Sequence, residues 1–285
     1  MMDMRETILG ELKQIESACG VRVLHAVESG SRAWGFASPD SDFDVRFIYV
    51  RPPEDYIRLD EPGDVIEWKD DGLLDINGWD LKKAMIQAAR GNATLFEWSG
   101  SPIVYRTTET WKRIRGVVEG YFSEKTAAYH YYGTAVKTFK EHLTGETVRY
   151  KKYFYALRPL LCAQYIEHCH AAPPVLFEDL LKMDMEPSLR SAIDLLLEKK
   201  KTTTEGEFHP HIPAIRDFIR DELPKQKAIC ARMPDDRNKD WGPLNRCFAE
   251  TIGFECKNLT RTADWSDKNR IVVKMSMHNC TYNLG

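Results

Sequence analysis

The chain has 285 residues, which is enough for one large domain or for two smaller ones that each bury a core. Its net charge of −3 provides no overall positive field for nucleic acid, so any such contact must come from a local patch. Seven cysteines without a paired spacing indicate reduced thiols in a cytoplasmic protein. The charged, amphipathic N-terminus lacks the apolar core of a signal peptide, and no apolar run is long enough to span a membrane.

The first two predicted elements are a helix and a buried strand. Asp3 is suited to cap a helix whose apolar residues recur at helical spacing, and Gly20 is suited to end it. Residues 21–27 are almost continuously apolar, which predicts a strand buried on both faces. His25 lies within this strand, and we expect it to be a core histidine rather than a metal ligand.

A glycine turn, a hydroxyl and two alternate aspartates follow the strand. A turn at Gly30 and Ser31 can offer backbone N–H groups and a hydroxyl to the phosphates of a nucleotide. Asp42 and Asp44 open the next predicted strand, where side chains two residues apart share a face. Neighbouring carboxylates repel each other unless a cation lies between them, and Mg²⁺ prefers such oxygen ligands. The stretch therefore predicts a metal-dependent phosphate site.

Two arginines lie beside this motif. Arg32 can reach a bound triphosphate, and an exposed structural role explains it equally well. Arg46 is two residues beyond Asp44 and on the same face of the predicted strand, where it either balances the carboxylates or contacts phosphate. We favour the balancing role for Arg46.

Four segments of the chain resemble a known enzyme family. The order of Gly-Ser, ten further residues and then DFDV is similar to the signature of nucleotidyltransferases related to DNA polymerase β and kanamycin nucleotidyltransferase. Within that superfamily, residues 27–248 resemble the RlaP/YcgL-type nucleotidyltransferases through the segments GSRAWGFASPDSDFDVRFIYV, DINGWDLKKA, GNATLFEW and KKYFYALRPLL. The resemblance implies an α+β fold, in which a nucleotidyltransferase-type mixed β-sheet with flanking helices precedes an all-helical C-terminal domain.

The resemblance also implies a third carboxylate on a strand next to the aspartate pair. Residues 65–68 and 72–77 predict two strands around a turn. Asp75 is the best match, because an aspartate between apolar residues in a strand is costly without a partner. Asp80 precedes apolar residues at helical spacing and is better explained as a helix N-cap, and Glu67 is a weaker alternative.

From about Trp111 the pattern changes to long helices. We expect a catalytic domain at residues 1–105, a helical substrate- or nucleotide-binding domain at 106–254 and an unassigned tail at 255–285. In the helix predicted at 149–170, one face carries Lys151, Tyr155 and Arg158 at i, i+4 and i+7, with Lys152 adjacent. We expect this face to contact the base, ribose or γ-phosphate of a nucleotide. The spacing leaves open which of the two lysines faces the site.

The sequence thus predicts transfer of a nucleoside monophosphate, by default AMP from ATP, to a hydroxyl or phosphate with release of pyrophosphate. Asp42, Asp44 and Asp75 are the expected catalytic residues and ligands of a pair of Mg²⁺ ions, with Mn²⁺ as a substitute.

An RNA end, in tRNA or in broken RNA, is the first expected acceptor, because the resembled family is thought to act alongside RNA ligases. A protein hydroxyl and a small molecule are the alternatives. The alternative from another class is a non-catalytic module that binds RNA or a partner.

Overall fold

A mixed β-sheet followed by long helices makes up the fold, and this confirms the predicted α+β class. The computed structural model describes residues 3–38, 41–202 and 206–254, so the tail from 255, including the strand-like residues 271–275, lies outside the described residues. The elements are α1 Met4–Cys19, β1 Arg22–Glu28, α2 Gly30–Ala33, β2 Phe43–Val50, β3 Val65–Asp70, β4 Leu74–Asp80, α3 Leu81–Ala89, α4 Ala93–Ser99, β5 Val104–Thr107, α5 Glu109–Val118, α6 Glu124–His142, β6 Thr147–Val148, α7 Tyr150–Cys169, α8 Phe177–Leu180, α9 Pro187–Thr202, β7 His209–Pro210, α10 Pro213–Arg232 and α11 Gly242–Thr251.

The main sheet has five strands in the order β3-β4-β2-β1-β5. Strand β2 is central and runs parallel to β4, whereas the other neighbouring strands are antiparallel. The parallel register pairs Asp44 of β2 with Asp75 of β4. Two of the predicted carboxylates therefore lie on adjacent strands at the same level of the sheet.

Helices cover both faces of this sheet. Helix α1 buries Ile8, Leu12 and Ile15 against one face, together with Phe47 and Ile76 from the strands. Helices α3, α5 and α11 cover the other face, which carries Ile48 and Val50 of β2. Because side chains alternate along a strand, Asp44 and Arg46 share this second face, at the end where β2 begins.

The remaining long helices enclose a second core. Helices α6, α7, α9 and α10 bury residues such as Tyr153, Leu157 and Ile219. Helices α5 and α11 contribute to the core over the sheet instead, so the region 106–254 supplies residues to two cores. The division of the chain at residue 105 stays a prediction. In the described part of the chain, none of the helices has both the length and the apolar character needed to cross a lipid bilayer.

Local signals placed the ends of several elements correctly. The Asp3 side chain accepts a hydrogen bond from the Arg5 N–H at 3.1 Å, and Gly20 ends α1 with φ of 63°. The Asp80 side chain accepts from the Lys82 N–H at 2.7 Å and thereby caps α3. The predicted N-cap role of Asp80 is confirmed, and its carboxylate also accepts a bond from the Tyr56 hydroxyl at 2.9 Å.

His25 is a core residue, as the sequence predicts. It is 4% exposed, and its ring stacks on Trp111 of α5 with centroids 4.8 Å apart. Burial lowers the pKa of His25 to about 4 from an ordinary value of 6.5. Between pH 6.5 and about pH 4, His25 is protonated in the unfolded chain but neutral in the folded chain. The free energy of unfolding therefore falls as the pH decreases through this range.

We expect a His25→Phe variant to lose less stability on acidification than the wild type. The phenyl ring preserves the stack on Trp111 and removes the titrating group. Each pH unit below 6.5 costs the wild type about 1.4 kcal/mol, so the difference between the two proteins should change by about 2 kcal/mol from pH 7.5 to near pH 5. Urea unfolding at both pH values measures it, and equal losses in the two proteins would contradict the assignment.

Candidate active site

The corner between β1 and α2 is pressed against the start of β2. Gly30 has φ of 60°, and a Cβ atom there would overlap the Oδ2 atom of Asp44. The Ser29 N–H donates to the Asp44 carbonyl at 2.8 Å. Only glycine combines this backbone conformation with this close approach. Ser31, the hydroxyl predicted to bind phosphate, is 2% exposed.

Arg46 joins two of the predicted carboxylates. Its Nη2 atom lies 3.0 Å from Asp44 Oδ1 and 2.6 Å from Asp75 Oδ2, and its Nη1 atom donates to the Asp75 carbonyl at 2.9 Å. These ion pairs support the charge-balancing role for Arg46, and its contact with phosphate stays a prediction. Asp75 therefore has the partner that an aspartate in an apolar strand requires.

Asp42 lies just outside the strand that the sequence predicted for it, because β2 begins at Phe43. It is exposed. The Arg32 guanidinium donates to the carbonyls of Asp42 at 2.9 Å and Ser41 at 2.6 Å, and it stacks on the Phe43 ring at 3.7 Å. Arg32 thus holds the turn before β2, which supports its structural role, and its contact with a triphosphate stays a prediction.

The charges around Asp44 oppose one another. Burial raises the pKa of Asp44, the positive charges of Arg46 and Lys151 lower it, and the negative charges of Asp42 and Asp75 raise it. The pKa is above its ordinary value overall. An additional cation would stabilise the ionised carboxylate. Because the charge of Lys151 acts on Asp44, the beginning of α7 lies within electrostatic reach of that carboxylate.

The donor chemistry of this site suits a divalent metal ion. Among the described residues, no group of three or more histidine, cysteine, aspartate or glutamate side chains is placed to hold a metal. However, Asp44 and Asp75 already share one cation, the Arg46 guanidinium, and both offer only oxygen atoms. Hard ions such as Mg²⁺ prefer one or two such carboxylates together with water and phosphate oxygens. These residues therefore fit the ion that the sequence predicts.

Glu28 is a site residue that sequence reasoning missed. It is 1% exposed and accepts hydrogen bonds from the Asp44 N–H at 2.8 Å and from the Tyr105 hydroxyl. Burial raises the pKa of Glu28. The sequence could have indicated Glu28, because an ionisable residue at the end of a buried apolar strand needs hydrogen-bond partners. Its partners lie 16 and 77 positions away in the chain.

The predicted nucleotide-binding face of α7 lies in two environments. The Nζ atoms of Lys151 and Lys152 are 5.9 and 5.6 Å from the centre of the Tyr155 ring. That ring packs edge-on against Trp34, which follows α2, with centroids 5.6 Å apart. Arg158 is only 3% exposed. The basic face thus begins within electrostatic reach of Asp44 and continues into the helical core.

Arg158 makes an ion pair that the sequence did not indicate. Its Nη1 atom lies 2.7 Å from Glu97 Oε1 on α4, and its guanidinium lies 4.6 Å from the centre of the Trp34 ring. The Tyr131 hydroxyl donates to the same Glu97 oxygen at 3.0 Å. Sequence reasoning assigned no role to Glu97.

The glycine corner, the carboxylates on adjacent strands of a mixed sheet and the basic helix beside them define a polymerase-β-type nucleotidyltransferase. A family model described as the RNA repair pathway DNA polymerase beta family matches residues 4–250. The chain belongs to this family.

Proteins that are similar to this chain include one curated relative and one solved structure. The "Uncharacterized protein YcgL" of Bacillus subtilis (strain 168) is 39% identical over 251 residues, which cover 87% of this chain and 96% of that protein. The crystal structure of a nucleotidyltransferase-like protein from Exiguobacterium sibiricum 255-15 is 11% identical with a TM-score of 0.30, over 87% of this chain and 79% of the other. Membership of the family rests on the family match and on the 39% identity.

We expect Gly30→Ala to weaken nucleotide binding by more than tenfold, because the added methyl group must displace the Asp44 carboxylate or the corner. The strained backbone should also cost roughly 1–3 kcal/mol of stability. Calorimetry with ATP and Mg²⁺ measures binding, and urea unfolding measures stability.

Gly133→Ala is the matched control for this change. Gly133 lies inside α6, and a Cβ atom there meets nothing within 4 Å. It should leave binding unchanged and raise stability slightly, since alanine favours a helix interior. Equal ATP affinity in the Gly30→Ala and Gly133→Ala proteins would show that the corner has no part in the site.

Proposed function

We propose that the protein is a Mg²⁺-dependent nucleotidyltransferase that transfers AMP from ATP to an acceptor hydroxyl or phosphate and releases pyrophosphate. The observation that supports this most strongly is the pairing of Asp44 with Asp75 around a single cation, directly against a glycine corner. Family membership supports the same reaction class.

The chain's own groups have distinct roles in this proposal. The backbone at Gly30 and the Ser31 hydroxyl bind the phosphates, and Lys151 adds positive charge from α7. Asp42, Asp44 and Asp75 would hold the metal when it is bound, while Arg46 limits the repulsion between Asp44 and Asp75.

A bound divalent ion at these carboxylates would neutralise the triphosphate and lower the pKa of the acceptor hydroxyl. Glu28 fixes the backbone of Asp44 through its N–H. Catalysis here is mainly positioning and charge neutralisation, so small displacements of the carboxylates matter.

Asp44→Asn should lower the rate of pyrophosphate release on the order of a thousandfold. The change keeps the size of the side chain and removes the charge that the ion and Arg46 share. A coupled assay for pyrophosphate with ATP and Mg²⁺ measures the rate. Asp60→Asn is the control, because Asp60 is exposed and pairs only with Arg58 among the described residues. Unchanged release by the Asp44→Asn protein would end the proposal.

An RNA end is the acceptor that we propose first. The family description refers to an RNA repair pathway, and the basic face of α7 offers positive charge beside the carboxylates. The 3′ end of RNA presents a hydroxyl for in-line attack on the α-phosphorus.

Incubation with ATP labelled at the α-phosphate should transfer label to total cellular RNA. The label should be sensitive to ribonuclease and absent when Asp44→Asn protein is used, since transfer requires the same carboxylate. Label in total protein instead would replace RNA with a protein hydroxyl as the acceptor. Label in neither fraction, with pyrophosphate still released, would favour a small-molecule acceptor.

A further inference from the structure

A narrow pocket opens between Trp34 and the helical core, and none of Asp42, Asp44 and Asp75 lines it. Helices α4, α6 and α7 and the residue after α2 form its walls. Its lining includes Trp34, Glu97, Tyr131, Thr134, Tyr155 and Arg158. Aromatic rings thus surround the ion pair of Arg158 and Glu97, and the cavity volume of about 60 Å³ has room for the polar edge of a nucleobase rather than for the whole ring.

Glu97 has one occupied and one available oxygen in this pocket. Oε1 accepts both the Arg158 guanidinium at 2.7 Å and the Tyr131 hydroxyl at 3.0 Å. Oε2 accepts no hydrogen bond from the residues that the structure describes, and the Glu97 side chain is only 15% exposed. Oε2 does not belong to the fully enclosed unpaired polar atoms of the described residues, so it is accessible to a donor that enters the pocket. The pocket therefore presents an acceptor to whatever enters it.

The position of the pocket matches the expected path of a nucleotide. Lys151, which acts on Asp44 electrostatically, and Arg158 lie seven residues apart on α7, which is about 10 Å along the helix axis. A nucleotide whose phosphates lie near Lys151 can span this distance with its ribose and base. Tyr155 lies between the two, with its ring against Trp34.

We propose that this pocket reads the exocyclic amino group of the incoming nucleotide's base, with Glu97 Oε2 as the acceptor. The inference rests on the proposed function, because it assigns the nucleobase subsite of the same reaction. An acceptor in this position favours adenine and cytosine, whose amino groups donate hydrogen bonds, over bases without an amino group there. Arg158 acts as a positioning residue, since it fixes which oxygen of Glu97 is available.

Glu97→Gln provides a sharp test. Two donors, Arg158 and Tyr131, fix the amide so that its carbonyl oxygen replaces Oε1 and its NH₂ group replaces Oε2. The variant thus offers a donor where the wild type offers an acceptor, with almost no change in size. Calorimetry on the full chain with Mg²⁺ compares ATP with purine riboside 5′-triphosphate, which lacks only the amino group.

The wild type should bind ATP at least tenfold more tightly than purine riboside 5′-triphosphate. Glu97→Gln should lose that preference by weakening ATP alone, and the retained affinity for the analogue shows that the pocket is folded. Exposed Glu109→Gln is the control and should keep the wild-type preference. If Glu97→Gln does not fold, Glu97→Asp is the second variant. It keeps the negative charge opposite Arg158, but its shorter side chain moves the carboxylate away from the base, so it should also lose the preference for ATP over the analogue.

Equal wild-type affinity for the two triphosphates, or an undiminished preference in the Glu97 variants, overturns the base-reading role. Pyrophosphate release that persists in that case leaves the proposed nucleotidyl transfer standing. Failure of the wild type to bind either triphosphate overturns both proposals.

Discussion

The ion pairs of Arg46 with Asp44 and Asp75 are the interaction on which the candidate site depends. Two carboxylates at the same level of adjacent strands repel each other, and partial burial makes that repulsion costly. Arg46 compensates it and also donates to the Asp75 carbonyl, so one side chain serves both charge balance and the pairing of β2 with β4. A metal ion bound here must share the carboxylates with this guanidinium.

A second set of contacts fixes Asp44 from the other side. Gly30 approaches its carboxylate, Ser29 bonds to its carbonyl, and Glu28 accepts its N–H. Tyr105 on the edge strand β5 in turn donates to Glu28. Hydrogen bonds therefore hold both polar groups of the Asp44 backbone, which is the support that the role proposed for Asp44 requires.

The chain directly after the glycine corner joins the sheet to the helical core. Trp34 contacts Tyr155 and Arg158, while Phe36 stacks on Phe154 with ring centroids 4.7 Å apart. Trp34 and Phe36 lie only four and six positions beyond Gly30, so their contacts with α7 fix the position of this helix relative to the glycine corner. This explains how a helix distant in sequence comes to act on the charge of Asp44.

The sequence by itself determined the helices and strands near the site and the order in which the Gly-Ser corner and the aspartates follow the first strand. Helix caps such as Asp3 and Asp80, the buried strand around His25, and the Gly-Ser corner before the aspartates depend on neighbours within a few positions, so their signals are readable along the chain. Only the tertiary structure decided that Glu28 supports Asp44. It also decided that Arg158, predicted to lie on a nucleotide-binding face, is buried against Glu97. Spacing fixes which side chains share a face of one element, but contacts between elements depend on how those elements pack.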